Sequence, residues 1–334
     1  MYYDELSATM DHLLQDGKGI LAADESNGTI GKRFADIGLE NTPENRQNYR
    51  LMLATTPDLG SYINGVILFE ETFQNKDAHG KSIVDLFTEQ GIIPGIKVDK
   101  GLVDLANTED EKVTQGLDGL TERLMEFKRQ GAKFAKWRNV YSISDFTPSL
   151  TAMKAGAENL ARYAASCQAV GIVPIVEPEI LMDGDHTIEH CAEASEMVLH
   201  ELFRALFVHQ VELEHIILKP SMITSGKSFK PFSSPEDIAD YTVSVFRNTV
   251  PAAVPSINFL SGGQTPQQAT ANLNAINATG YQPWTLSFSY GRALQEDCLK
   301  VWAGKTANVA KAQAALLNRA RLNSLACFGE YVEG

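Results

Sequence analysis

His215-Ile216-Ile217-Leu218-Lys219-Pro220 is a short apolar run that ends in a lysine. Apolar residues bounded by polar ones suit a strand covered on both faces, and Pro220 removes a backbone donor where such a strand should stop. One ammonium is therefore expected at a strand's end. A lone lysine commonly carries its charge out to solvent or pairs with a carboxylate. The chemical alternative is a desolvated amine that attacks a carbonyl and forms a Schiff base. The run does not separate the two readings, so its neighbours must.

Working outward, the same theme of an apolar run closed by polar residues recurs. Gly19-Ile20-Leu21-Ala22-Ala23 ends in Asp24-Glu25-Ser26-Asn27-Gly28-Thr29, with Lys32-Arg33 beyond; this turn reads equally as an anion-binding loop and as a helix N-cap at Ser26 or Asn27. Gly65 to Phe69 ends in Glu70-Glu71, and Ile92 to Ile96 ends in Lys97-Val98-Asp99-Lys100. Asn107 to Gly116 reads as a loop, and Leu120 to Arg129 as a helix. Ala132 to Ala135 ends in Lys136-Trp137-Arg138. Residues two apart in a strand share a face, so Lys136 and Arg138 point the same way, which is costly unless an anion or carboxylates meet them. The run Ile172 to Val176 ends in Glu177-Pro178-Glu179 and supplies two carboxylates if the strands are neighbours.

Ser256 to Leu260 ends in Ser261-Gly262-Gly263-Gln264, where two glycines let the backbone approach an oxyanion. Trp284 to Phe288 ends in Ser289-Tyr290-Gly291-Arg292, which adds a cation. Helices are expected over about 152–169, 189–209 and 307–325. Eight apolar runs, each followed by a helical pattern and joined by no Gly/Ser linker, predict an α/β fold. The expectation is one (β/α)8 TIM barrel spanning 1–334, with an additional C-terminal helix. In such barrels the working groups sit at the C-terminal ends of strands, and phosphate is often held after the seventh and eighth. Asp24, Lys97, Lys136, Glu177, Lys219, Ser261 and Arg292 all fall at strand ends, which favours catalysis over surface decoration.

Composition narrows the partners. The chain carries 29 Lys plus Arg against 42 Asp plus Glu, a net charge of −13 that repels a polyanion. No nucleic-acid partner is expected, and no apolar run approaches the roughly 18 residues of a membrane span. A local basic cluster can still hold a small phosphate ester. The four cysteines form no CxxC and suit reduced thiols. The start, Met1-Tyr2-Tyr3-Asp4-Glu5, lacks the basic and apolar character of a secretion signal. A metal held by His186, His190 and Asp183 or Asp185 is weighed and set aside, because no third ligand stands at a firm spacing.

An amine nucleophile must be uncharged. Bringing a lysine from about 10.4 to neutrality costs roughly 4 kcal/mol; Lys136 is the expected source of repulsion, with Glu177 as proton shuttle and Asp24 placed to take a hydroxyl proton. From residues alone, the reading is a lysine-dependent enzyme acting on a phosphorylated carbonyl compound.

The segments Gly17 to Ser26, Gly95 to Gly101, Phe134 to Arg138, Val176 to Ile180, Leu218-Lys219-Pro220, Leu260 to Gln264 and Phe288 to Leu294 resemble those of class I fructose-1,6-bisphosphate aldolase. The resemblance covers nearly the whole chain. It implies reversible cleavage of fructose 1,6-bisphosphate to dihydroxyacetone phosphate and glyceraldehyde 3-phosphate through a lysine Schiff base, with no cofactor and no metal. Carried over by residue, Lys219 resembles the Schiff-base lysine, Glu177 the acid/base of imine formation and Asp24 the C4-hydroxyl base, with Lys136 and Glu179 in support. Ser261, Gly262, Gly291 and Arg292 match the C1-phosphate site. Ser26, Thr29, Arg33 and Lys97 match the region of the other phosphate, and Arg138 and Ser289 join the substrate-binding set. Thr29 stands where many members have serine.

The family also implies a homotetramer in the cytoplasm or plastid stroma, in glycolysis, gluconeogenesis or the Calvin cycle. Many members continue into a tail ending in tyrosine; here Tyr331 is not terminal, and the role is not transferred to it. The alternative is a broader aldolase that also acts on sedoheptulose 1,7-bisphosphate, which shares the dihydroxyacetone phosphate half. A silent scaffold is the reading from outside the enzymes, and intact Lys219, Glu177 and Asp24 speak against it.

Overall fold

The computed structural model describes residues 2–332. Its strands are β1 (Gly19–Ala23), β2 (Ile63–Leu68), β3 (Ile93–Lys97), β4 (Leu102–Asp104), β5 (Lys112–Thr114), β6 (Phe134–Tyr141), β7 (Val173–Ile180), β8 (Ile217–Leu218), β9 (Ser256–Phe259) and β10 (Thr285–Tyr290). Eight of them close a parallel barrel in the order β1-β10-β9-β8-β7-β6-β3-β2. Each barrel strand pairs with its neighbours in the barrel series, as right-handed β-helix-β crossovers require. Near-complete burial of these strands explains why they read as continuous apolar runs.

Helices surround the barrel: α1 (Tyr3–Leu13), α2 (Asn27–Ala35), α3 (Pro43–Ala54), α4 (Glu70–Phe73), α5 (Ile83–Thr88), α6 (Leu120–Arg129), α7 (Leu150–Ala169), α8 (Ile188–Val208), α9 (Pro235–Thr249), α10 (Pro266–Ala278), α11 (Arg292–Trp302) and α12 (Val309–Ala326). Their starts are locally encoded. Ser149 caps α7 by accepting from the Ala152 N–H, and both α9 and α10 open with a capping box and a proline in the first turn. The additional C-terminal helix is α12, packed on α11, α10 and α3.

The barrel interior fills from below. Leu6, Met10 and Leu13 of α1 pack with Ile20, Ile67, Phe134, Val173, Ile175 and Ile217 in a cluster separate from the outer core. Phe134 lies across the strands where a side chain at Gly95 would stand 2.2 Å from its ring, and one at Gly65 about 3.2 Å away. Those glycines make room for one aromatic ring.

One expectation changes and another is narrowed. The segment read as a loop from Asn107 contains β5, which pairs antiparallel with β4 as a hairpin; three-residue strands give too little alternation to be read. The turn after β1 forms the cap, with Ser26 accepting from the Thr29 N–H and α2 beginning at Asn27, and the same helix start leaves the anion-binding reading open.

Candidate active site

Asp24 follows β1, Lys97 ends β3, and Lys219 follows β8. Lys136 and Arg138 lie within β6, and Glu177 and Glu179 within β7, rather than at strand ends as expected, because the ladder between these two strands continues to Tyr141 and Ile180; the residues are two apart in each case, so each pair shares a face. The pairing sets Arg138 beside Glu177 and Lys97 beside Lys136. At the C-terminal mouth these groups line a cavity of about 420 Å³. The same cavity is lined by Ser26, Thr29, Arg33, Ser261, Gly262, Ser289, Gly291 and Arg292, so every site residue proposed from sequence converges on one space. His186 and His190 are not among its lining residues, and no group of three or more metal-ligating side chains occurs among the described residues.

At the centre is a buried relay of charge. The Lys136 ammonium donates to Asp24 Oδ2 at 3.0 Å and lies 2.9 Å from Glu177 Oε2. The Lys219 ammonium is 3.5 Å from Glu177 Oε1. Glu177 therefore stands between two amines, and its Oε2 has no aligned hydrogen-bond donor. Arg138 donates to Glu179 alongside.

Burial is the main cause that holds the Lys219 pKa below the ordinary lysine value; Glu177 opposes it and Lys136 assists. Repulsion from Lys136 is thus a secondary contribution. Burial would lower the Lys136 pKa, but Asp24 and Glu177 offset its charge and raise it. Burial would raise the pKa of Asp24, but Lys136, Lys219 and Lys97 together hold it well below the carboxylate range. Glu177 follows the same pattern, with burial overcome by Lys136, Lys219 and Arg138. One amine is kept charged and its neighbour is eased toward neutrality, which suits a nucleophile beside a proton relay.

Two polar ends flank this centre. At one, Gly262 adopts φ +50°, a left-handed backbone that glycine takes readily. Arg292 Nη2 donates to the carbonyls of Gly262 (3.3 Å) and Gln264 (2.8 Å), while its buried Nε makes no hydrogen bond and lies 4.0 Å from Glu296 Oε2. The Ser289 hydroxyl is also buried without a partner. These spare donors and the start of α11 suit an anion. At the other end Ser26 and Thr29 hydroxyls lie 3.1 Å apart at the start of α2, near Arg33; Lys97 pairs with Asp99 at 2.8 Å.

Sequence reading missed what holds Arg33. Glu25 is buried and binds both Arg33 and Arg50, the latter at 2.7 Å, and Gln295 donates to it at 3.0 Å. Burial would raise the Glu25 pKa, but the two guanidinium groups lower it. A detectable signal existed: Arg50 sits on the apolar face of α3 between Tyr49 and Met52. Asp99 and Leu102 also line the cavity.

The family model described as fructose-bisphosphate aldolase class-I matches residues 5–334. Fructose-bisphosphate aldolase 5, cytosolic, of Arabidopsis thaliana is 55% identical over 334 residues, covering 100% of this chain and 93% of that protein. The chloroplastic fructose-bisphosphate aldolase of Oryza sativa subsp. japonica is 54% identical, covering 99% and 84%. Fructose-bisphosphate aldolase from Plasmodium falciparum, solved with TRAP and a small-molecule inhibitor, superposes with a TM-score of 0.98 at 52% identity, covering 100% of this chain and 96% of that one. The barrel, the buried amine pair and these matches along its length agree: the chain belongs to the class-I fructose-bisphosphate aldolase family.

Proposed function

We propose that Lys219 is the amine on which this aldolase forms its Schiff base, with Glu177 and Lys136 moving its protons and Asp24 as base at the C4 hydroxyl. The reaction is the reversible cleavage of fructose 1,6-bisphosphate to dihydroxyacetone phosphate and glyceraldehyde 3-phosphate, a lyase reaction that the class-I family performs through a lysine imine. The observation that carries the assignment is a buried amine with a lowered pKa, 3.5 Å from a carboxylate that also faces Lys136.

In this reading the neutral Lys219 attacks the C2 carbonyl. As its charge is lost, Glu177 loses one of its nearby cations and becomes easier to protonate. The proton it takes from the Lys219 ammonium is then given to the departing hydroxide as the carbinolamine dehydrates. The resulting iminium draws the electrons of the C3–C4 bond, while Asp24 accepts the C4 hydroxyl proton. Collapse of the iminium to the enamine removes a positive charge beside Asp24, so its carboxylate becomes more basic in the step that needs a base. Glu179 holds Arg138 toward the substrate. Ser261, Gly262, Ser289, Gly291 and Arg292 hold the C1 phosphate; Ser26, Thr29, Arg33 and Lys97 hold the other.

Residues 1–334 act in this proposal as one catalytic domain, assembled as a homotetramer and working in the cytoplasm or the plastid stroma. Cytosolic and chloroplastic relatives of similar identity support either compartment, and sedimentation tests the assembly. Comparing kcat/KM for fructose and sedoheptulose bisphosphates tests the breadth of substrate.

The decisive assay is cleavage of fructose 1,6-bisphosphate in a strong chelator. The wild type is expected to keep its activity, and Lys219→Ala to lose at least about 10⁴-fold while remaining folded. Cleavage by Lys219→Ala near the wild-type rate overturns the assignment.

A further inference from the structure

Gln295, in the first turn of α11, is fully buried, and both ends of its amide meet polar partners. The two hydrogens of its Nε2 are shared among three acceptors, the Ala22 carbonyl at 2.8 Å, Glu25 Oε1 at 3.0 Å and the Gly291 carbonyl at 3.2 Å, and the last also accepts from the Gln295 backbone N–H at 3.1 Å. Its Oε1 accepts from the Tyr49 hydroxyl at 3.1 Å and from Arg50 Nη1 at 3.4 Å. One side chain thus joins the end of β1, helix α3 and the turn between β10 and α11.

Those partners belong to opposite ends of the cavity. Arg33 Nη1 donates to the same Glu25 oxygen that Gln295 Nε2 reaches. Gly291 opens the turn at Arg292. The two ends share a wall, because a side chain at Gly291 would stand 3.2 Å from the Ala22 carbonyl and 3.8 Å from Arg33 Nη2. When Arg33 turns its guanidinium to a phosphate, Glu25 remains buried and still needs compensation. Gln295 and Arg50 supply it.

We infer that Gln295 is a positioning residue that couples the two phosphate-holding ends, keeping the Glu25–Arg33 pair in register with Gly291. This rests on the assignment of Arg33 and Gly291 to the two phosphates of the substrate. An amide suits the role: it donates to Ala22 and Glu25 with Gly291 within reach, and accepts from Tyr49 and Arg50. A carboxylate there would face Glu25 with like charge, and a thioether would leave these partners unpaired.

The test compares fructose 1,6-bisphosphate with fructose 1-phosphate, whose kcat/KM ratio reports what the second phosphate contributes. In Gln295→Met the KM for the bisphosphate is expected to rise about tenfold with kcat changed less than about threefold, and fructose 1-phosphate to suffer less than about threefold in kcat/KM. In an Arg33→Ala background the same substitution is expected to leave the ratio unchanged, because the two act as one unit. Equal losses on both substrates, or full additivity with Arg33→Ala, overturn the coupling role. Should Arg33→Ala alone leave the ratio untouched, the phosphate assignment fails instead. If Gln295→Met does not fold, Tyr49→Phe removes the hydrogen bond that orients the amide without opening a void. It should lower the ratio in the same direction, and an unchanged ratio there also counts against the proposal.

Discussion

The two mouths of the barrel are built from the same strands and are chemically opposite. At the N-terminal mouth α1 lays Leu6, Met10 and Leu13 onto Ile20, Phe134 and Ile175, all buried and apolar. At the C-terminal mouth Asp24, Lys136, Glu177 and Lys219 are equally buried and all ionisable. Apolar burial yields stability at roughly 25 cal/mol per Å², whereas buried charges cost desolvation that their mutual attraction only offsets. The lower mouth stabilises the fold that holds the upper one in place. Few residues serve both.

Substitutions that cross this division sharpen it. The largest effect is expected at the lower mouth: Phe134→Ala empties the ring-shaped space between Gly65 and Gly95 and should cost about 3–5 kcal/mol. Thermal or denaturant unfolding would register this, while kcat of the folded fraction stays near the wild-type value; a rate loss without a stability loss would erase the division.

Next is Glu177→Gln, which keeps shape but removes the carboxylate between two amines. Cleavage should fall about 10²-fold or more, and stability should fall as well, because the buried Lys136 and Lys219 ammonium groups lose the carboxylate between them. Cleavage within about threefold of the wild-type rate, alongside that loss of stability in an unfolding measurement, would mean that Glu177 is chiefly a structural ion-pair partner.

The smallest effect is a shift on the pH axis. Attack requires neutral Lys219, so the rate of imine trapping rises with pH through the Lys219 pKa. Burial is the main cause that lowers this pKa, and Lys136 adds to it. Lys136→Met removes that addition, so the rising limb should move to higher pH. A limb that moves to lower pH would mean that the ammonium of Lys136 does not repel Lys219.

The upper mouth was also the more legible of the two. Its residues follow apolar runs, and a charge at the end of such a run stands out: Lys219 after Leu218 and Asp24 after Ala23 needed no knowledge of the fold. The supporting layer was harder to see. Gln295 and Arg50 lie on helices 245 residues apart in sequence and meet only because the barrel closes. Helix α1 was not read at all, since its hydrophobic stripe of Leu6, Met10 and Leu13 is short and its partners are strand interiors scattered from Ile20 to Ile217. The β4–β5 hairpin failed for a related reason: its pairing involves three residues on each side. Strand identity is local, but which helix plugs or braces the barrel depends on tertiary closure.

The central claim is that Lys219 is the covalent residue. Borohydride reduction in the presence of dihydroxyacetone phosphate, followed by peptide mass mapping, tests it directly. The account predicts a single reduced adduct on Lys219, absent from Lys219→Ala. An adduct on Lys136 or Lys97, or none on a folded protein, would contradict it.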